Sequence, residues 1–375
     1  MADTLYFSRD TKVYIAIGSD IWEVPVLDGF SFSQATNTSE ITLNEMSNTS
    51  GDSRRGRQMF TDSYAPAEWS FSTYARPFAS AGSGAGAADS AAKHHAVEEV
   101  LWALMVGAAT YSSFSFTGFT ADTTDLDISF GSSNKTTLGT ADIYFVLGGA
   151  RSGTKTTYKI TGCCVNEASL DFDIDGIATI NWSGMGTIIN EDSAPTATVY
   201  EAVSSTSNFI RNRLTTLAMT TADDHLLATG ESADGDSDVE TYDLVLTGGN
   251  ITVSNNITFL TPETLGVVNQ PLGHVTGTRS VSGSFTCYLN AEASSSADLF
   301  ERIIEDTDTI TNNFDLTFKV GGASATPRIE LAMTDCHLEV PTHSIDDVIS
   351  LETNFHALPS TIEGTDELTI KYVGA

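Results

Sequence analysis

Basic residues are scarce: 18 lysines and arginines stand against 49 aspartates and glutamates in 375 residues, a formal net charge of −31. A protein that wraps nucleic acid by neutralising phosphates needs the opposite balance, so that class is excluded. Acidity alone also fits a highly soluble protein or a saline environment, and does not choose a function. Cysteine is sparse too. Cys163 and Cys164 are adjacent and Cys287 and Cys336 isolated, without the paired spacing of a zinc site or a secreted disulfide framework, so buried free thiols are expected. No window is apolar for long enough to span a membrane, and Met1-Ala2-Asp3-Thr4-Leu5 opens without a basic region leading into an apolar run. No membrane partner is expected, and the protein is expected to be made and first kept in a cytoplasm.

Prolines number only nine, while Thr, Ser, Gly and Asn are abundant between segments that alternate with period two. Residues 11–17, 29–32, 40–43, 69–74, 143–147 and 178–182 show this alternation, which predicts strands in antiparallel sheets joined by turns. Asp175-Gly176 is a hairpin-turn candidate because both positions tolerate positive φ. Two stretches read as helices. Residues 91–106 carry Val97, Val100, Leu101, Leu104 and Met105 on one stripe, and residues 296–304 carry Leu299, Phe300, Ile303 and Ile304. Residues 79–92, rich in Gly, Ser and Ala, read as a flexible linker into the first helix.

The chain also resembles itself. Asp142-Ile143-Tyr144-Phe145-Val146-Leu147-Gly148-Gly149 returns as Asp315-Leu316-Thr317-Phe318-Lys319-Val320-Gly321-Gly322, a displacement of 315 − 142 = 173 residues. At the same displacement Cys163 falls on Cys336, Ala178 on Leu351, Ile180 on Thr353, Trp182 on Phe355 and Val199 on Tyr372, while Glu167 matches Glu339 at 172, as one bulge residue would allow. The expected organisation is a duplicated domain, residues 1–203 and 204–375. Each is mainly β, a β-sandwich or small barrel with one flanking α-helix placed after a central strand that ends in Tyr74 or Tyr288.

No constellation amounts to a catalytic or metal site, so no enzyme activity and no cofactor are expected. His94-His95 lacks the spacing of a zinc hydrolase and reads as a solvated first helical turn. Asp234-Gly235-Asp236-Ser237-Asp238 lacks the distal bidentate Glu of a calcium loop and reads as an acidic turn. Leu170-Asp171-Phe172-Asp173-Ile174-Asp175 alternates strictly, placing apolar residues on one sheet face and aspartates on the other. Two long inter-strand loops, residues 44–65 and 261–277, are expected to be functional. The first concentrates Arg54, Arg55 and Arg57 on an otherwise acidic protein, which suits docking against an acidic copy.

Gly29-Phe30-Ser31-Phe32, Glu40-Ile41-Thr42-Leu43, the arginine-containing loop to Phe60, and Pro66-Ala67-Glu68-Trp69-Ser70-Phe71-Ser72-Thr73-Tyr74-Ala75-Arg76-Pro77-Phe78, together with the duplication, resemble the tail tube (major tail) proteins of tailed bacteriophages, especially those with a duplicated tube domain. The resemblance implies a virion subunit, assembled in the host bacterial cytoplasm, whose homotrimeric, pseudo-six-fold rings stack into a tube. Genomic DNA would pass through the lumen without specific binding. The implied partners are further copies of itself, a tape-measure protein and tail terminator or initiator proteins. On that reading Glu167, Asp171, Asp173 and Glu339 are lumen-lining candidates. Arg54, Arg55 and Arg57 in one loop and Leu265, Val267 and Val268 in the other are inter-ring candidates, the second loop docking through apolar contacts. The alternatives are a β-rich phage adhesin or receptor-binding virion protein, and a hydrolase for which no carboxylate pair can be nominated.

Overall fold

Period-two alternation and frequent glycine-bearing turns give strands over more than half of the described residues. The computed structural model describes residues 6–41, 49–51, 58–130, 138–148, 155–196, 198–201, 207–221, 240–292, 295–305, 314–322, 327–345 and 347–374. The strands up to residue 201 are β1 (Lys12–Ile17), β2 (Asp20–Val24), β3 (Ser31–Ile41), β4 (Gln58–Tyr74), β5 (Pro77–Ala79), β6 (His94–Ala96), β7 (Tyr111–Ser112), β8 (Ser115–Phe116), β9 (Phe119–Ala121), β10 (Asp125–Ser129), β11 (Ala141–Leu147), β12 (Thr156–Asp173), β13 (Thr179–Gly186), β14 (Ile189–Asp192) and β15 (Val199–Tyr200). Beyond them lie β16 (Thr216–Thr221), β17 (Glu240–Asp243), β18 (Leu246–Ser254), β19 (Thr258–Leu260), β20 (Gly273–Val275), β21 (Ser280–Tyr288), β22 (Phe314–Val320), β23 (Arg328–Leu338), β24 (Thr342–Ile345), β25 (Ile349–Ala357) and β26 (Thr369–Val373). The helices are α1 (Glu99–Met105) and α2 (Ser296–Glu305).

Eight antiparallel strands form one broad sheet in the order β3, β4, β13, β12, β18, β21, β25, β24. The 18-residue β12 serves two sheets: residues 156–163 pair with β11 and β14, then residues 164–173 pair with β13 and β18. A register shift between Ile160 and Cys163, with Gly162 at φ +61°, marks where the strand turns from one sheet to the other, the bend that a bulge supplies. β23 makes the same kind of transition, from β22 and β26 to β25. The neighbour order β1, β11, β12, β13, β4, β3 up to residue 201 recurs beyond it as β16, β22, β23, β25, β21, β18.

Strands including β1, β11, β16, β22 and β26 enclose the main core with the apolar face of the broad sheet, and Leu138, Cys164 and Ile257 form a small second cluster. Trp102 of α1 meets Trp182 of β13 edge-on at 4.8 Å, and Phe318 stacks on Phe355 at 5.6 Å; such pairs add about 0.5–1.5 kcal/mol each beyond the area they bury. Both indoles are satisfied inside, Trp102 donating to the Tyr372 hydroxyl (2.7 Å) and Trp182 to Thr73 Oγ1 (2.9 Å), which keeps them from costing an orphaned donor. On the broad sheet Trp69 lies opposite Gly184, and Gly283 lies opposite Phe355. A Cβ on either glycine would enter the facing ring, so each cross-strand pair joins one aromatic to one glycine, with the strand roles exchanged.

Four expectations need correction. The first helix is confined to Glu99–Met105, because Val97 donates to the Arg76 carbonyl, His94 to that of Asp122, and residues 94–96 pair with β5; backbone donors committed to strands cannot close helical turns. His94 and His95 are consequently buried on β6 rather than solvated on a helix. Residues 79–92 are folded against the rest of the protein: Ala81 N donates to Glu201 Oε1 (2.7 Å), Asp89 N to Ser80 Oγ (3.0 Å), and Gly86 at φ +82° lets the backbone approach Val199. Most of the described part of residues 44–65 is strand, since β4 starts at Gln58 and pairs with β3 as far as Ile41. The second helix and the turn at Asp175-Gly176 fall where expected, with Gly176 at φ +118°.

Candidate functional site

The solvent side of the broad sheet is a polar surface set by alternation. One row across it reads Ser31, Ser70, Ser183, Glu167, Ser254, Ser280, and the next reads Ser72, Asn181, Ser169, Thr252, Ser282, His356. A third reads Tyr74, Thr179, Asp171, Asn250, Ser284, Asn354, and a fourth contains Asp173, Gly248, Thr286, Glu352 and Thr342. Hydroxyls and amides tie the rows together. Ser72 donates to Asn181 Oδ1 (2.7 Å), Asn181 donates to Asp171 Oδ2 (3.0 Å), and Thr252 donates to Ser169 Oγ (3.3 Å). None of these row positions is lysine or arginine.

The four acidic residues chosen from strand phase, Glu167, Asp171, Asp173 and Glu339, are all exposed. The first three share the solvent side of β12. Glu339 joins them from the far side of the sheet, where Asn354 donates to its Oε2 (2.8 Å) and His356 stands 3.9 Å away. Glu68 and Glu352 lie on the same side; their alternation with Trp69, Phe71, Leu351 and Phe355 was a usable signal that the sequence reading passed over. Carboxylates two residues apart on one strand are about 7 Å apart, where repulsion in water is only about 0.6 kcal/mol. Such a face is tolerated while solvated, and its field grows where walls enclose it.

A second surface lies at the end of the β3·β4 hairpin. Residues 261–277 fold back onto it, with Tyr64 N donating to Asn269 O (2.9 Å) and Asn269 N to Asp62 O (3.1 Å). Their apolar side chains remain outward: Leu265 is 100% exposed, and Val267, Val268, Leu272, Met59 and Phe60 are exposed with it. Arg54, Arg55 and Arg57 lie outside the described residues, as do Asp234, Asp236 and Asp238.

All four cysteines are free and buried; burial pushes the Cys164 and Cys336 thiols up to about 12 and Cys287 to about 11, where they stay protonated and unreactive. Among the described residues no group of three or more His, Cys, Asp or Glu is placed to hold a metal ion, and no helix is long and apolar enough to cross a membrane. The concentrated titratable cluster is internal. Glu98 is fully buried beside Arg76 and Tyr372, and His95 Nδ1 lies 2.8 Å from Glu99 Oε2 with Asp89 3.6 Å from its other nitrogen. Sequence reasoning missed this cluster because Arg76, Asp89 and Tyr372 reach His95, Glu98 and Glu99 only through the fold.

A β-rich subunit with a broad polar sheet face and an apolar end surface belongs to the class of assembling structural proteins. The chain is a member of the phage tail tube protein family, whose model matches residues 26–357. It is 28% identical over 379 residues to the tail tube protein pb6 of Escherichia phage T5, a match covering 97% of this chain and 75% of that protein. It is therefore a structural protein of a phage tail, a family of structural rather than enzymatic character, and the tail-tube reading prevails over the adhesin.

Proposed function

We propose that this chain forms closed rings, three copies to a ring, each copy supplying two duplicated units, and that the rings stack into the tail tube through which genomic DNA leaves the capsid. The observation that carries the reading is the eight-strand sheet, with one face polar across its width and acidic on β4, β12 and β25, and with residues 31–39 of β3 and 342–345 of β24 paired to another strand on one side only among the described residues. Joining such sheets edge to edge closes a barrel and removes the exposed edges. Strand junctions of this kind already link the portions before and after residue 203, which is what a duplicated unit adding to its neighbour would produce.

With the polar face inward, Glu167, Asp171, Asp173 and Glu339 line the lumen. A conduit must let a polyanion slide, and a basic lining would hold it through phosphate contacts and counterion release; an acidic one keeps it from adhering. The end surface around Leu265, Val267 and Val268 supplies ring-to-ring contacts, with Arg54, Arg55 and Arg57 adding charge complementarity to the acidic neighbouring ring. A tape-measure protein inside and terminator or initiator proteins at the ends complete the partners, and assembly takes place in the host bacterial cytoplasm.

Electron microscopy of the purified protein at rising concentration tests the assembly: hollow, six-lobed rings with three-fold symmetry are expected, and discrete particles without a lumen, even with an assembly initiator added, would refute it. Asp171→Asn with Asp173→Asn tests the lining. Tubes should form normally while DNA ejection slows or stalls, and unchanged ejection kinetics would remove these residues from the lumen.

A further inference from the structure

The two edges of the broad sheet are not equivalent. β3 pairs with β4 and β24 pairs with β25, and neither has another strand neighbour among the described residues. Around Ser31 to Ser33 and Thr342 to Ser344 each edge therefore offers its outer backbone groups to an added strand. The chain already contains one joint between strands of these two kinds. β12 and β18 meet antiparallel over seven residue pairs, with Asp171 opposite Asn250 and Ser169 opposite Thr252. Resting on the ring-forming reading above, we infer that β24 of one copy adds antiparallel to β3 of a second copy in the register of this internal joint, with Ser344 opposite Ser31 and Thr342 opposite Ser33.

The register follows from two superpositions. Cys163 lies opposite Ala141 and Cys336 opposite Phe314, while Asp171 faces Thr179 and Ser344 faces Ser350 across the following hairpins. At the first end the facing residues keep one offset, 336 − 163 = 314 − 141 = 173. At that offset Leu338 falls on Val165, and since Leu338 faces Phe355 and Val165 faces Gly184, β25 falls on β13 at 355 − 184 = 171, not at the 173 read from the sequence. Ser350 then takes the place of Thr179, so Ser344 takes that of Asp171, 344 − 171 = 173, and Thr342 that of Ser169. On the other side, Trp69 is flanked by Gly184 and Phe32, and Gly283 by Phe355 and Ile251. Matching these two aromatic–glycine pairs sets Phe32 on Ile251, hence Ser31 on Asn250 and Ser33 on Thr252.

The faces and the packing agree with this register. Thr342 and Ser344 lie opposite Glu352 and Ser350 on the polar side of the sheet, as Ser31 and Ser33 lie opposite Ser70 and Glu68. A one-residue slip would set polar against core-facing positions along the whole joint. Ile345 points to the core side yet is 78% exposed, and it takes the place of Phe172, which is buried. Phe172 lies over Gly249, whose added Cβ would come within 2.8 Å of the ring. The proposed register replaces Phe172 over Gly249 by Ile345 beside Phe30, so a smaller residue on one strand meets a larger one on the other. Val340 and Pro341 interrupt the line of β23 and β24, where β12 runs unbroken. A proline in an edge strand shortens what can pair, leaving the four residues of β24 and a joint weaker than the internal one.

Directly opposite Cβ atoms in an antiparallel pair stand about 4.5–5.5 Å apart, and those displaced by two residues about 7–8 Å, beyond disulfide reach. Two double variants, Ser31→Cys with Ser344→Cys and Ser33→Cys with Ser344→Cys, are assembled under mild oxidation and read by non-reducing electrophoresis and electron microscopy. The native cysteines are buried and give little background. The first variant should form a covalent ladder ending at the ring stoichiometry, at least tenfold faster than the second. Equal or faster cross-linking of the second, or tubes in which neither cross-links, overturns the joint while leaving tube formation intact. Should the wild type form no tubes, the ring reading fails. The joint is then decided among soluble copies: dimers linked through Ser31 and Ser344 positions uphold it, and their absence overturns it. Mixing the two single variants supplies the same readout if a double variant does not fold.

Discussion

Glu98→Gln should make the subunit more stable at pH 8 while changing it little at pH 5. Glu98 is fully buried at the entry to α1, where its carboxylate accepts from Arg76 N at 3.2 and 3.4 Å and meets the Tyr372 hydroxyl. Burial pushes its pKa from the ordinary 4.5 up to about 7, outweighing the hydrogen bonds from Tyr372 and the Arg76 backbone and the charge of Arg76. Each tenfold change in proton affinity is worth about 1.4 kcal/mol, so this displacement amounts to roughly 3 kcal/mol. The folded protein holds the proton up to about pH 7, while the unfolded chain releases it near its ordinary value. Between those limits the unfolded state binds fewer protons, and stability falls as pH rises.

Glutamine has the same shape and never ionises. Its oxygen can keep the Arg76 bond, and any cost of placing its amide hydrogens is the same at every pH. The readout is therefore the change with pH of the difference between variant and wild type, measured by thermal or urea unfolding at pH 5 and pH 8. That difference should move by about 2–3 kcal/mol in favour of the variant. His95 acts in the same sense. Burial lowers its proton affinity, but the hydrogen bond and charge of Glu99 together with Asp89 raise it overall. Its stabilising effect is thus present below about pH 6.5 and lost as pH rises through the higher folded value. It is common to both proteins and cancels. A difference that is the same at pH 5 and pH 8 would refute the idea that Glu98 is held protonated by burial.

Gly184→Ala should destabilise the subunit by about 1–3 kcal/mol or more, because the new methyl would clash with the Trp69 ring and the Cys164 carbonyl, and backbone cannot yield as a side-chain tip can; an unchanged melting temperature would contradict this packing. Leu265→Ser combined with Val267→Ser should leave the melting temperature of the separate subunit unchanged, since both side chains are exposed. It should raise the concentration needed for tube growth at least tenfold, as burying one leucine is worth about 1.5–3 kcal/mol, and light scattering showing normal growth would remove this surface from the ring-to-ring contact.

Strands and faces were legible in the sequence because alternation is a local signal that burial enforces: Leu170-Asp171-Phe172-Asp173 could be sided without knowing any neighbour. The first helix was drawn too long for the complementary reason. Ala91-Ala92-Lys93-His94-His95-Ala96 is compatible with a helix, and only the distant carbonyls of Asp122 and Arg76 reveal that the backbone donors of His94 and Val97 are used elsewhere. The glycine- and serine-rich residues 79–92 look like linker by composition, yet composition does not report Glu201, whose carboxylate anchors Ala81. The Glu98 cluster was out of reach for the same reason, since Tyr372 joins it from the last strand of the fold.

Glu339 shows how phase can find a face without finding the equivalent position. A displacement of 172 sets it on Glu167, but the strand pairing on both sides of the irregularity follows 173, which sets Val340 there instead. Glu339 nevertheless reaches the polar side, because its backbone N–H donates to Asn354 O (2.9 Å) while the Asn354 amide donates to its carboxylate. In β12 the register shifts between Val165 and Glu167, and in the later strand the chain departs from regular pairing between Leu338 and Thr342. Each irregularity lets one extra residue pass without reversing the faces beyond it. The acidic character of the face therefore depends on where each strand bends as well as on its alternation, and removing Glu339 to Gln should weaken that field without disturbing the β23 to β25 pairing that precedes it.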